Sequence, residues 1–363
     1  MPERNTMKKI QELQQVKGDA YDYYIAGNED TDLFEKIFLV DDIVEEICKP
    51  DKYFLIGEKG SGKTAYSVYM SKSDKINSFC SISLVENTLY QRFLNMKRQK
   101  ALELSSFKDV WINLIYLILA EKIRKEYGET FFSSIKYKQL SKAIDVFYSD
   151  AFKPEFVNAF EFVDNACASI NSMMKQGLFS TGTKASAETS QKYVEQSFQI
   201  SLLKIRDGFE KAFMSVNLKK PTILFVDGID ARPRDIDNEQ YFECLVGLVN
   251  AVLEMNQSFL KEKQIKIMLL IRPDIMYKMP VHNMNQKLRN NSVLLNWVTS
   301  YRKYIDSKLF KIADDYFMKQ QDYSYELGEC WNYYFPYKVE YQEKWKAPDN
   351  PFVEFLRYSL YKP

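Results

Sequence analysis

The stretch YFLIGEKGSGKT at residues 53–64 decides the reading of this chain. Its first four residues form a continuous apolar run, the pattern of a short strand covered on both faces. The octet that follows fits G-x-x-x-x-G-K-S/T from Gly57 through Gly62, Lys63 and Thr64. In that spacing the glycines let the backbone turn where other residues are excluded, and they bring successive N–H groups around phosphate oxygens. The lysine places a cation on the β and γ phosphates, and the threonine offers a hydroxyl to Mg²⁺. A helix opening at Thr64 adds its positive end. A chance match in a chain of this length is on the order of one in a hundred. The phosphate-binding candidates are therefore Gly57, Glu58, Lys59, Gly60, Ser61, Gly62, Lys63, Thr64 and Ala65, with Thr64 also a candidate metal ligand.

Working outward, TAYSVYMSK after the loop reads as a helix start and SFCSISL at 78–84 as a second strand. Strand, loop, helix, strand is an α/β signature. Before the loop, LFEKIFLVDDIVEEIC at 33–48 places Phe34, Ile37, Val40, Ile43 and Ile47 on one face at helical spacing, which predicts one helix closed by Pro50. From about 105 to 175, aromatic and aliphatic residues recur every three or four positions, as in Phe107, Val110, Trp111, Leu114, Ile115 and Ile118. LFSTGTKASAETS at 178–190 is a loop candidate. A helix then resumes with Val194, Phe198, Leu202, Ile205, Phe209 and Phe213 in one stripe, ending before Pro221.

Three further strands are predicted. PTILFVDGID at 221–230 and IKIMLLIRPD at 265–274 are apolar runs ending in charge, and SVLLNW at 292–297 is a weaker fifth. The helix between the first two carries Leu245, Val246, Val249, Val252 and Leu253. Asp227 closes its strand, where a carboxylate can hold Mg²⁺ directly or through water. The long stretch between Thr64 and Asp227 leaves room for an intervening strand and a large helical insertion. The strand ending at Arg272 is then expected between the two motif strands, with Arg272 within reach of a γ phosphate or paired with Asp274 or Asp230. Arg232 and Arg234 in ARPRD at 231–235, and Arg289 in KLRNNS, are either charge-stabilising fingers or solvated arginines.

The expected fold is α/β, a P-loop NTPase core with a mainly parallel sheet flanked by helices, a large helical insertion and a helical C-terminal part. The expected divisions are an N-terminal helical segment at 1–50, the two parts of the core at 51–104 and 216–300, the insertion at 105–215 and a C-terminal helical segment at 301–363. The amphipathic run FVEFLRYSLYKP ends the sequence on an apolar face, which suggests a truncated chain.

Composition narrows the function classes. With 46% hydrophobic and 27% charged residues over 363 positions, the chain is in the globular range. Fifty basic residues against 49 acidic ones give a net charge of +1, so no global field draws the chain to nucleic acid or an anionic membrane, and a nucleic-acid partner would need a local basic groove. The basic clusters NMKRQK at 95–100 and KIRKEY at 122–127 read as solvated helix faces. Cys48, Cys80, Cys167, Cys244 and Cys330 contain no C-x-x-C pair, and His282 is the single histidine, which argues against disulfide, zinc and His-based chemistry. The charged N-terminus lacks a signal peptide's apolar stretch, and VWINLIYLILA at 110–120 is too short to span a bilayer, so a buried helix and a reducing cytoplasmic location are expected.

GEKGSGKT, DGID at 227–230 and LLIRPD at 269–274 together resemble the P-loop ATPases of the additional-strand division, among them the NACHT and other STAND-type ATPases of the AAA+ group. The resemblance covers the nucleotide-binding core and not the insertion or the C-terminal part. It implies ATP and Mg²⁺ as cofactors, Lys63, Asp227, Asp230 and Arg272 as the catalytic set, Thr64 and Asp227 as metal ligands, and Asp230 as the group positioning water. It implies a homo-oligomer or a protein effector as partner, and a nucleotide-controlled switch of the kind found in antiphage defence. Two positions depart from the pattern: Gly228 follows Asp227 where motors carry Glu, and Ala231 stands where the family has Glu. Both favour slow turnover, or a regulatory scaffold without turnover, over a motor. A P-loop kinase would carry an arginine-rich lid, and none is visible.

Overall fold

The computed structural model describes residues 7–25, 28–85, 107–132, 137–151, 202–230, 238–279, 286, 290–339, 350–359 and 363. The predicted loop at 178–190, Val194, Phe198, Cys167, His282, the cluster at 95–100, Ala231, Arg232, Arg234 and Arg289 lie outside them. All five expected strands form: β1 (Phe54–Ile56), β2 (Phe79–Leu84), β3 (Thr222–Asp227), β4 (Ile265–Ile271) and β5 (Ser292–Leu294). They stand in the order β2-β3-β4-β1-β5, so β4 falls between the two motif strands as the spacing predicts. β1 with β5, β2 with β3, and β3 with β4 pair in parallel. The fold is thus α/β with a parallel sheet flanked by helices. Every residue of β3 and of β4 is buried, which is why both read as mainly apolar runs rather than alternating ones, with Lys266 the one charged residue inside β4.

The chain divides into two compact units, Met1–Ile76 with Ser292–Pro363, and Asn77–Asn291. In the first, the stretch read as one helix at 33–48 is two, Asn28–Ile37 and Asp42–Cys48. The break has a physical cause: Asp41 caps the second helix, its Oδ1 accepting from the Ile43 N–H at 3.1 Å. Phe38, released from the first helix, stacks on Tyr69 with centroids 4.2 Å apart, and Val40 is 55% exposed instead of lying on the buried stripe. After β5, the helices Lys308–Met318, Glu329–Tyr334 and Pro351–Ser359 enclose an aromatic cluster built on Tyr304, Phe310, Phe317, Trp331 and Phe352. The apolar stripe of the last helix, Phe352, Val353 and Leu356, is covered there.

In the second unit, the helices Asn238–Gln257 and Phe107–Phe132 pack at very close range. A Cβ at Gly247 would come within 2.6 Å of the Phe107 Cβ, so only glycine permits this approach. Trp111 donates to the Cys244 carbonyl at 3.1 Å across the same seam. The run 110–120 is buried throughout, Asn113 included, as expected of an interior helix. Within 122–127, Ile123 is buried, Lys122, Arg124 and Tyr127 are half-buried, and Lys125 and Glu126 are exposed, so the expected solvated face is present at 125–126. Residues 202–215 are helical, with Leu202, Ile205, Phe209 and Phe213 buried. Among the described residues no helix is long and apolar enough to cross a membrane.

Candidate functional site

In the first unit, β1 delivers the chain into the loop and the helix Lys63–Lys72 leaves it. Gly60 and Gly62 have φ of 77° and 86°, left-handed values that side chains resist, so the motif's inner glycines are required by the turn itself. Gly57 is required for a different reason. A Cβ there would meet the Ser61 Oγ at 2.2 Å and the Leu295 Cβ at 3.1 Å, because the loop folds back over it. The Ser61 N–H donates to the Glu58 carbonyl at 3.1 Å, closing this fold, and the Ser61 hydroxyl is buried with no hydrogen-bond partner.

Lys63 is 7% exposed, and its ammonium donates to the carbonyls of Gly57 at 2.8 Å and Glu58 at 3.2 Å. A buried cation is costly unless it is hydrogen-bonded, and these two carbonyls hold it across the mouth of the loop. No side chain caps the helix it opens, and the first turn has no acidic residue to compete with an incoming anion. Thr64 and Ala65 are half-buried, while Glu58, Lys59 and Gly60 are exposed. A glycine-shaped cradle, a buried ammonium and an uncapped helix start form a donor set that fits a phosphate chain.

The helix behind the loop is braced from below. Tyr66 donates to the Asp41 Oδ1 at 3.0 Å, and Lys308 donates to the Asp41 Oδ2 at 2.7 Å and the Asp42 Oδ1 at 2.6 Å. Burial and the Asp41 carboxylate push the Tyr66 phenol up, so it keeps its proton and remains a donor. Burial draws Lys308 down, but its hydrogen bonds to Asp41 and Asp42 outweigh this and raise it. The hydrogen bond from Lys308 holds the Asp42 carboxyl below its ordinary value.

In the second unit, Asp227 is 7% exposed at the end of β3, and its Oδ1 accepts from the Gly228 N–H at 2.7 Å. Gly228 has φ of 84°, and a Cβ there would meet the Val85 carbonyl oxygen at 2.9 Å. Glycine at this position therefore has a steric cause: the turn presses against the backbone beyond β2 and admits no side chain. Tyr241 fixes the turn from behind, donating to the Ile229 carbonyl at 2.7 Å. The Asp230 Oδ1 accepts from the Arg272 main-chain N–H at 3.3 Å. The Arg272 guanidinium is engaged by Asp274 in a bidentate pair, Nε to Oδ1 at 2.9 Å and Nη2 to Oδ2 at 2.8 Å. Of its two anticipated arrangements, a γ-phosphate contact and a carboxylate pair, this structure holds the second.

Sequence reasoning passed over Trp297, whose indole Nε1 donates to the Ser61 carbonyl at 2.9 Å. It also passed over Asp41 and Asn256. Asn256, in the helix before β4, donates to the Val252 and Ile267 carbonyls and accepts from the Ile267 N–H, tying that helix to the strand. The LNW tripeptide following a predicted strand beside the loop strand was the one signal available for Trp297. Among the described residues no three His, Cys, Asp or Glu side chains gather as a metal site. Thr64 and Asp227 each carry a hard oxygen donor of the kind Mg²⁺ takes together with phosphate oxygens, Thr64 in the first unit and Asp227 in the second. No family model, no curated protein and no solved structure matches this chain.

Proposed function

We propose that the chain binds ATP with Mg²⁺ through residues 57–65 and acts as a nucleotide-controlled switch with slow turnover. The observation that carries this reading is Lys63, a buried ammonium held by the Gly57 and Glu58 carbonyls at the start of a helix that no side chain caps. On binding, the ammonium exchanges neutral carbonyl acceptors for charged phosphate oxygens, which make the stronger hydrogen bonds. Thr64 and Asp227 would hold the magnesium, which when bound neutralises phosphate charge. In this reading Asp230 orients water, and the partner is a second copy of the chain or a protein effector.

Slow turnover is supported by the same chemistry. Gly228 places no carboxylate next to Asp227, and the Arg272 guanidinium is occupied by Asp274. Those two observations equally favour a second reading, a nucleotide-binding regulatory protein without turnover. Calorimetry with ATP and Mg²⁺ tests the first claim, with GTP in competition to fix the base. Phosphate release from wild type and Asp230→Ala separates the readings: a wild-type rate well above the variant's supports the enzyme, and equal background rates reject it. Light scattering with and without ATP tests the oligomer.

A further inference from the structure

Trp297 lies well outside the phosphate motif, yet it holds that motif from the side. The chain leaving β5 brings the Leu295 N–H to the Ile56 carbonyl at 2.8 Å, and two residues later the Trp297 indole donates to the Ser61 carbonyl at 2.9 Å. In a trans peptide the C=O and the following N–H point in opposite directions. Fixing the Ser61 carbonyl therefore fixes the direction of the Gly62 N–H, one of the amides a phosphate-binding loop must present. The rest of the Trp297 ring packs against the aromatic cluster that contains Tyr304, Phe310, Trp331 and Phe352. One side chain is thus hydrogen-bonded to the loop and packed on the helical part that follows residue 300.

We propose that Trp297 is a positioning residue of the phosphate loop, its N–H setting the peptide between Ser61 and Gly62 for an anion and its ring carrying the loop's state to the aromatic cluster. The proposal rests on the ATP-binding reading of residues 57–65. The bond is a neutral one to a partly buried indole, so its loss is worth a small factor in affinity rather than abolition.

The test replaces Trp297 with its benzothienyl isostere, which keeps the ring's size and puts sulfur in place of the N–H. Trp297→Phe, read in the same way, is the second variant. ATP binding is measured by calorimetry, and amide hydrogen exchange is followed at 54–66 and at 304–335 with and without ATP and Mg²⁺. In wild type, ATP is expected to slow exchange in both segments. In the isostere it binds about five-fold more weakly, still protects 54–66 at saturation, and no longer protects 304–335. Unchanged affinity in the isostere, or a wild type in which only 54–66 responds, overturns the proposal while leaving ATP binding intact. A wild type in which neither segment responds overturns the ATP reading and this inference with it.

Discussion

The ammonium of Lys63 lies 2.8 Å from the carbonyl oxygen of Gly57, six residues back along the chain, and so closes the loop on itself. Lys63→Ala removes the one buried cation of the loop. ATP affinity is expected to fall about 10- to 100-fold, the worth of charge-assisted hydrogen bonds to phosphate. The melting temperature without nucleotide should fall modestly, because the exposed Glu58 carbonyl can turn to water while the buried Gly57 carbonyl loses a hydrogen-bond donor. Calorimetry and a thermal melt read the two effects separately.

Gly228→Ala tests the turn after β3. With φ at 84° and the Val85 oxygen 2.9 Å from the new Cβ, the substitution meets both backbone strain and a clash, and about 2 kcal/mol of stability is expected to be lost. Gly18→Ala is the control, since nothing lies within 4 Å of a Cβ there. That variant should stay within about 0.5 kcal/mol of wild type in a urea melt.

Asp314 is fully buried, and its two oxygens each accept a main-chain N–H, from Gly328 at 2.7 Å and from Trp331 at 2.8 Å. Asp314→Asn turns one acceptor into a donor facing an N–H. A loss of about 2 kcal/mol is expected, seen as a lower denaturant midpoint with the aromatic near-ultraviolet dichroism of the 304–356 cluster reduced.

The Glu254 carboxylate ties three helices in the second unit, accepting from Lys108 at 2.8 Å and Arg206 at 2.7 Å. Burial pushes Glu254 up, but these two cations outweigh it and hold the carboxyl below its ordinary 4.5. A depressed folded value means that its contribution is fully present above 4.5 and drains away as pH falls through the folded value. Glu254→Gln should cost about 1 kcal/mol at neutral pH, discounted for partial exposure. It should also make stability below pH 4.5 less steep in acid. Urea melts of both proteins across that range check the slope.

Much of the sheet was legible because β1, β3 and β4 are buried on both faces, and such strands announce themselves as short, mostly apolar runs bounded by Gly, Pro or Asp. Even the place of β4 followed from the distance between Thr64 and Asp227. The helix at 33–48 was misread because helical periodicity continues through Val40 and Asp41 without a breaker. What breaks it is distant in sequence: Tyr66 and Lys308 hold the Asp41 carboxylate where it can cap. Trp297 was opaque for the same reason, since its partner Ser61 is fixed by strand pairing and by no local pattern. Gly228 was visible as a departure from a motif, and only the Val85 backbone supplies its cause.

Residues 8–14 are fastened to a segment made much later. Lys8 and Gln14 hydrogen-bond to Gln320 and Gln321, and Tyr334 donates to the Lys8 carbonyl, one of these bonds bridging a separation of 313 residues. At ordinary rates of synthesis the early partner waits roughly half a minute for the late one. During translation, therefore, Met7 and Leu13 have no native site to bury in until the aromatic helices that cover them emerge.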